Sequence, residues 1–132
     1  MISLDLAHRL RAAGVPWTPS AGDRFVVPDR EMDDEVFVVS DMVVEVHELP
    51  SGPLLRFNGT TEWALDSIQQ HEVVWLPREE QLRELLGTSF HALEATPGGF
   101  VVRVERAGRE ERHIDIDAEC ALARAVLAVT GS

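Results

Sequence analysis

Lysine and tyrosine are absent from this sequence, and asparagine and cysteine occur once each, at Asn58 and Cys120. A single thiol excludes a disulfide framework. Positive charge is scarce: 12 arginines stand against 23 aspartates and glutamates, a formal net charge of −11. That balance weighs against binding nucleic acid or an anionic membrane surface through a basic patch. It is compatible with solubility, with a basic protein partner, or with mimicry of nucleic acid. No apolar run approaches the roughly 18 residues of a membrane span. Met1-Ile-Ser-Leu-Asp5 lacks the basic and apolar regions of a signal peptide. The expectation is a soluble cytoplasmic protein. The bias towards arginine, alanine, valine, leucine and glycine reads as a GC-rich genome rather than as chemistry.

What is present is enough for a core. The 132 residues are 45% hydrophobic, which suits one domain over residues 1–132 without metal or disulfides. The organising stretch is Glu72 to Gly87. Glu72 to Leu76 reads as a strand, and Pro77 suits the first position of a helix. Glu79 and Glu80 favour that helix's first turn, and Leu82, Leu85 and Leu86 make one apolar stripe. Gly87 ends it in a left-handed conformation. Trp75, Leu82, Leu85 and Leu86 are expected to be buried together.

Before this stretch, Ser3 caps a helix from Leu4 to Ala13 that Gly14 terminates. Trp17, between Pro16 and Pro19, is expected to pack on the core, with an exposed binding tryptophan as the alternative. Arg24 to Val27 reads as a strand, Asp29 to Glu35 as an acidic loop, and Val36 to Val39 as a central strand. Ser40-Asp41 makes a turn, Met42 to Leu49 alternates as a strand, Pro50 to Gly52 closes a hairpin, and Leu54 to Phe57 returns. Together these segments predict one antiparallel meander. Thr60 or Thr61 then caps a helix running to about Gln70.

After Gly87, Phe90 to Ala95, Phe100 to Arg106 and Glu111 to Ile116 read as a second meander, turning at Pro97-Gly-Gly99 and Ala107-Gly-Arg109. Asp117 caps a last helix, Ala118 to Val129, apolar on nearly all sides. If the sheet covers one side of that helix, a homodimer is expected to bury another. The predicted class is α+β: antiparallel sheets, a central strand–helix unit and a buried C-terminal helix.

Four segments resemble small actinobacterial proteins of unknown function, some labelled pilus-assembly proteins. They are Met1 to Ala7, Ala21-Gly-Asp-Arg-Phe25, Phe57-Asn-Gly-Thr-Thr-Glu-Trp-Ala-Leu-Asp-Ser67 and Trp75-Leu-Pro-Arg-Glu-Glu-Gln-Leu82. The motifs are structural in character. The chain has no phosphate loop, so the resemblance transfers no ATPase residues and implies no cofactor.

One constellation has a chemical reading. His113, Asp115 and Asp117 alternate on a strand and share a face, which suits a divalent cation. The same spacing describes a solvated strand face whose opposite side, Ile114 and Ile116, is core, and Asp117 is already wanted as a helix cap. Neither the other histidines nor the acidic loop has a standard metal spacing. Cys120 lies in an apolar helix and reads as a buried thiol. The expectation is therefore no catalytic, cofactor or metal residues. It is a non-catalytic binding or accessory protein acting through protein contacts with an unknown partner. The alternatives are a metal-assisted or acid–base enzyme using His113, Asp115 and Asp117, and an acidic mimic of nucleic acid.

Overall fold

In a computed structural model, the backbone is described for residues 1–27, 32–38, 43–49, 52–57, 67–69 and 73–131, and side chains for 1–26, 36–38 and 73–131. The class is α+β. Helices α1 (Leu4–Ala12), α2 (Glu79–Leu86) and α3 (Ala118–Thr130) accompany three three-stranded sheets, two of them antiparallel throughout. Their strands are β1 (Arg24–Val27), β2 (Met32–Val38), β3 (Val43–Leu49), β4 (Gly52–Phe57), β5 (Ser67–Gln69), β6 (Val74–Leu76), β7 (Phe90–Thr96), β8 (Gly99–Arg106) and β9 (Arg109–Asp115). Among the described residues, no helix is long and apolar enough to cross a membrane. The chain divides into two units, Trp17–Trp75 and Met1–Pro16 with Leu76–Ser132.

In the 17–75 unit the expected single meander is split in two. One sheet has the order β2-β1-β6 and the other β3-β4-β5. β1 is the central strand of the first, and its consecutive Phe25 and Val26 are both buried. The apolar run at 36–38 is therefore not central. β2 forms an edge, Phe37 pairs with Phe25, and Val36 and Val38 are left exposed. Met32 to Glu35, expected in a loop, belongs to β2, because the ladder with β1 extends to Val27↔Met32. Ile68, expected on a helix, lies in β5 opposite Leu55. Trp17 stacks on Trp75 at 6.1 Å and 8°, and its indole N–H donates to the buried Asp23 carboxylate at 2.9 Å. Asp23 also accepts from the Ser20 N–H at 3.0 Å, which closes the loop leading into β1. The expected features at Asp29 to Glu31, Ser40-Asp41, Pro50-Ser51 and Thr60 to Asp66 lie outside the described residues.

The other unit begins with α1. Ser3 accepts from the Leu6 N–H at 3.2 Å, and Leu6, Ala7 and Leu10 make the buried face. The Val15 N–H reaches the Leu10 carbonyl while Gly14 takes φ +86°, a glycine-terminated helix end. α2 starts two residues after Pro77, not on it: Arg78 is the cap, and its N–H donates to Gln81 Oε1 at 2.9 Å. Leu82 and Leu86 are buried, whereas Leu85 is only half-buried. Trp75, expected to be buried with them, is half-buried and falls in the 17–75 unit. Gly87 ends α2 at φ +57°, ψ −131°, a backbone region open to glycine but outside the expected left-handed helical well.

The third sheet has the order β7-β8-β9. Between β8 and β9, Ala107 (φ +53°) and Gly108 (φ +78°) form a two-residue turn with both φ values positive, as tight hairpins require. α3 packs on β8, β9, α1 and α2, and Cys120, Ala121, Leu122, Ala123, Ala125 and Val126 are all buried. Neighbours within its own unit thus bury most of the apolar residues of α3, while Leu127 and Val129 near its end are half-buried.

Candidate functional site: the two faces of β9

The register of the last hairpin decides what His113 and Asp115 face. Arg106 lies opposite Arg109, Val104 opposite Glu111, Val102 opposite His113 and Phe100 opposite Asp115. Residues directly opposite in an antiparallel pair project from the same side. Val102 and Val104 are fully buried and α3 packs on β8 and β9. Glu111, His113 and Asp115 therefore lie on the helix-facing side, and Ile114 and Ile116 lie outside. The expectation that the isoleucines are core is reversed: they are 66% and 82% exposed.

The inward polar row has structural partners. Asp115 Oδ2 accepts from Arg124 Nε on α3 at 2.9 Å, and its Oδ1 accepts from the Asp117 N–H at 3.1 Å. Burial works to raise the Asp115 pKa. The Arg124 bond and charge and the backbone N–H bonds outweigh it, so the carboxyl sits below its ordinary range. Asp117 caps α3 by accepting from the Cys120 N–H at 3.0 Å, and its other oxygen lies 3.1 Å from the Met1 amino nitrogen. Its pKa is also lowered: burial opposes the shift, and the Cys120 N–H and the Met1 ammonium prevail. Glu119, in the first turn of α3, accepts from the Ile2 N–H at 3.2 Å and from the Glu79 N–H at 3.1 Å, which fastens the first residues and the start of α2 to α3.

His113 stands apart from both aspartates. Its nearest carboxylate is Glu111, with Nε2 to Oε1 at 3.9 Å, and both atoms are enclosed without a hydrogen bond. Arg106 lies 3.8 Å from the same oxygen and donates to the Ala128 carbonyl near the end of α3 at 2.6 Å. A guanidinium there opposes a cation. Among the described residues no three His, Cys, Asp or Glu side chains come together as metal ligands. The three sequence-selected residues are thus divided between an ion pair, a helix cap and a site beside Glu111. Burial raises the Cys120 thiol, and the charges of Asp117 and Asp115 push it the same way, so it is held as the thiol rather than the reactive thiolate.

The outer face was not selected from the sequence. Three of its charged groups form one cluster: Arg103 lies 2.6 Å from Glu94 and 3.2 Å from Glu110. Its apolar part is Ile114, opposite the buried Val101, and Ile116, which lies beside Gly99. A Cβ on Gly99 would meet the Asp115 carbonyl oxygen at 2.5 Å and Ile116 Cα at 2.8 Å. Glycine there permits the close approach and leaves Ile116 without a lateral side chain to cover it. No protein-family model, no curated protein and no solved structure matches this chain.

Proposed function

We propose that this chain is a non-catalytic binding or accessory protein that acts through protein contacts, with the outer face of β9 as its contact surface. The observation that carries the reading is the exposure of Ile114 and Ile116 side by side at the end of an edge strand. Exposed apolar edge strands are costly features, because they invite association. Arg103, Glu94 and Glu110 on the same face are already paired with one another, which leaves the isoleucines and the neighbouring Arg112 for a partner. The inward polar row supports the reading from the other side: Asp115, Asp117 and Glu119 hold helix ends and a guanidinium. A cytoplasmic location fits the lone buried thiol. The test is cross-linking in cells followed by affinity capture, comparing the wild-type chain with Ile116→Asp. Wild type should capture a defined set of proteins, its own chain included, and the variant should lose them. Equal capture by both would remove β9 as the contact surface.

A further inference from the structure

Resting on that reading, we infer that the partner of β9 is β9 of a second copy of this chain, paired antiparallel about a two-fold axis at Ile114. Within the described residues, β9 is an edge of its sheet, with no strand on its outer side. Its side-chain order decides which strand fits there.

Two copies related by an axis normal to the sheet keep like faces together, so the outer row of one meets the outer row of the other. Centring the axis on Ile114 sets Ile114 against Ile114 and brings the stem of Arg112 towards Ile116, the first residue past β9. On the inner side it sets His113 against Asp115. The neighbouring centres each oppose like charges: Glu111 on Glu111, Arg112 on Arg112, Glu111 on Asp115 for a centre at His113, or Asp115 on Asp115. Directly opposed like charges destabilise a strand pair. The strand ends at Asp115, so Asp117, which caps α3, is not opposed to Glu111 of the second copy.

Charge also selects this edge over others. Two chains of net charge −11 repel, so self-association needs a locally balanced stretch. From Arg109 to Ile116 two arginines stand against three carboxylates. Of these, Glu110 is paired with Arg103 and Asp115 with Arg124. Among the described residues, the other edge with exposed apolar side chains is β2, whose sequence carries Asp33-Asp34-Glu35 directly before Val36 and Val38 and would set acid near acid. A basic peptide is a poorer occupant of β9, because Arg112 stands in its outer row.

The experiment is sedimentation equilibrium of the full chain up to several hundred micromolar, with wild type, Ile114→Arg and Ile114→Cys, each checked for native helix content. Wild type should show reversible doubling of mass, and Ile114→Arg should raise the dimer Kd by about 100-fold or more, since it places two guanidinium groups at the axis. Ile114→Cys should form a symmetric disulfide dimer on mild oxidation, because opposed Cα atoms in an antiparallel pair lie within bridging distance. A wild-type monomer throughout, or a dimer indifferent to Ile114→Arg, overturns the inference. If wild type is monomeric yet captures other proteins in an Ile116-dependent way, the contact surface stands and the second copy falls. If both fail, the reading of the face falls too.

Discussion

Leu82→Ala measures how the core of the 1–16/76–132 unit is built. Leu82 is fully buried on α2, whose main neighbour is α3. Truncation removes three carbon groups, about 2.4 kcal/mol of transfer free energy at roughly 0.8 kcal/mol each. Incomplete collapse around the vacated space adds a cavity cost, so the expected loss is about 3–4 kcal/mol, inside the usual 2–5 kcal/mol range. Leu85, half-buried on the same helix, should lose only about 1 kcal/mol when changed to alanine. All three described α-helices belong to this unit, whereas the described tryptophans, Trp17 and Trp75, fall in the 17–75 unit. Urea melts followed by helix ellipticity therefore report on the Leu82 environment, and tryptophan fluorescence reports on the other unit. A Leu82→Ala loss below about 1 kcal/mol, or a Leu85→Ala loss equal to it, would refute the packing described.

The lowered pKa values of Asp115 and Asp117 give stability that is complete above the ordinary aspartate pKa of about 3.9 and lost as pH falls through the folded-state values. Melts at decreasing pH should thus show a decline below about pH 4, and Asp117→Asn should flatten part of it. Ala107→Gly should stabilise by up to about 1 kcal/mol in denaturant melts, because it removes a side chain from a positive-φ position. Cys120 should react with a thiol reagent at neutral pH at least roughly tenfold more slowly in the folded chain than after unfolding, given its burial and raised pKa.

Elements that declare themselves locally were legible in the sequence. Ser3 and Asp117 as caps, Gly14 as a helix end and the hairpins flanking β8 follow from residue chemistry within four positions. Features set by distant partners were not. Val36-Phe37-Val38 is as apolar as a central strand, but β1 holds the centre because β6, some fifty residues on, pairs with its other side. Pro77 suits a helix start, yet the first turn is fixed by Gln81 reaching Arg78 and by Glu119 on α3 reaching Glu79. The orientation of β9 was decidable in principle. Alternation alone cannot say which side is core. A two-residue turn at Ala107-Gly108 places His113 opposite Val102 and Glu111 opposite Val104. Taking the valines as core then sends the isoleucines outward. The polar row misled because its partners, Arg124 and the first turn of α3, lie beyond the strand.

That orientation is the claim on which the function rests, and one measurement addresses it: the equilibrium unfolding free energy of Ile116→Asp against wild type, at a concentration low enough to keep both monomeric. With Ile116 82% exposed, the difference should lie within about 0.5 kcal/mol, as for other surface changes. A loss above about 2 kcal/mol would show that Ile116 is core, that His113 and Asp115 face solvent, and that β9 offers no apolar contact surface.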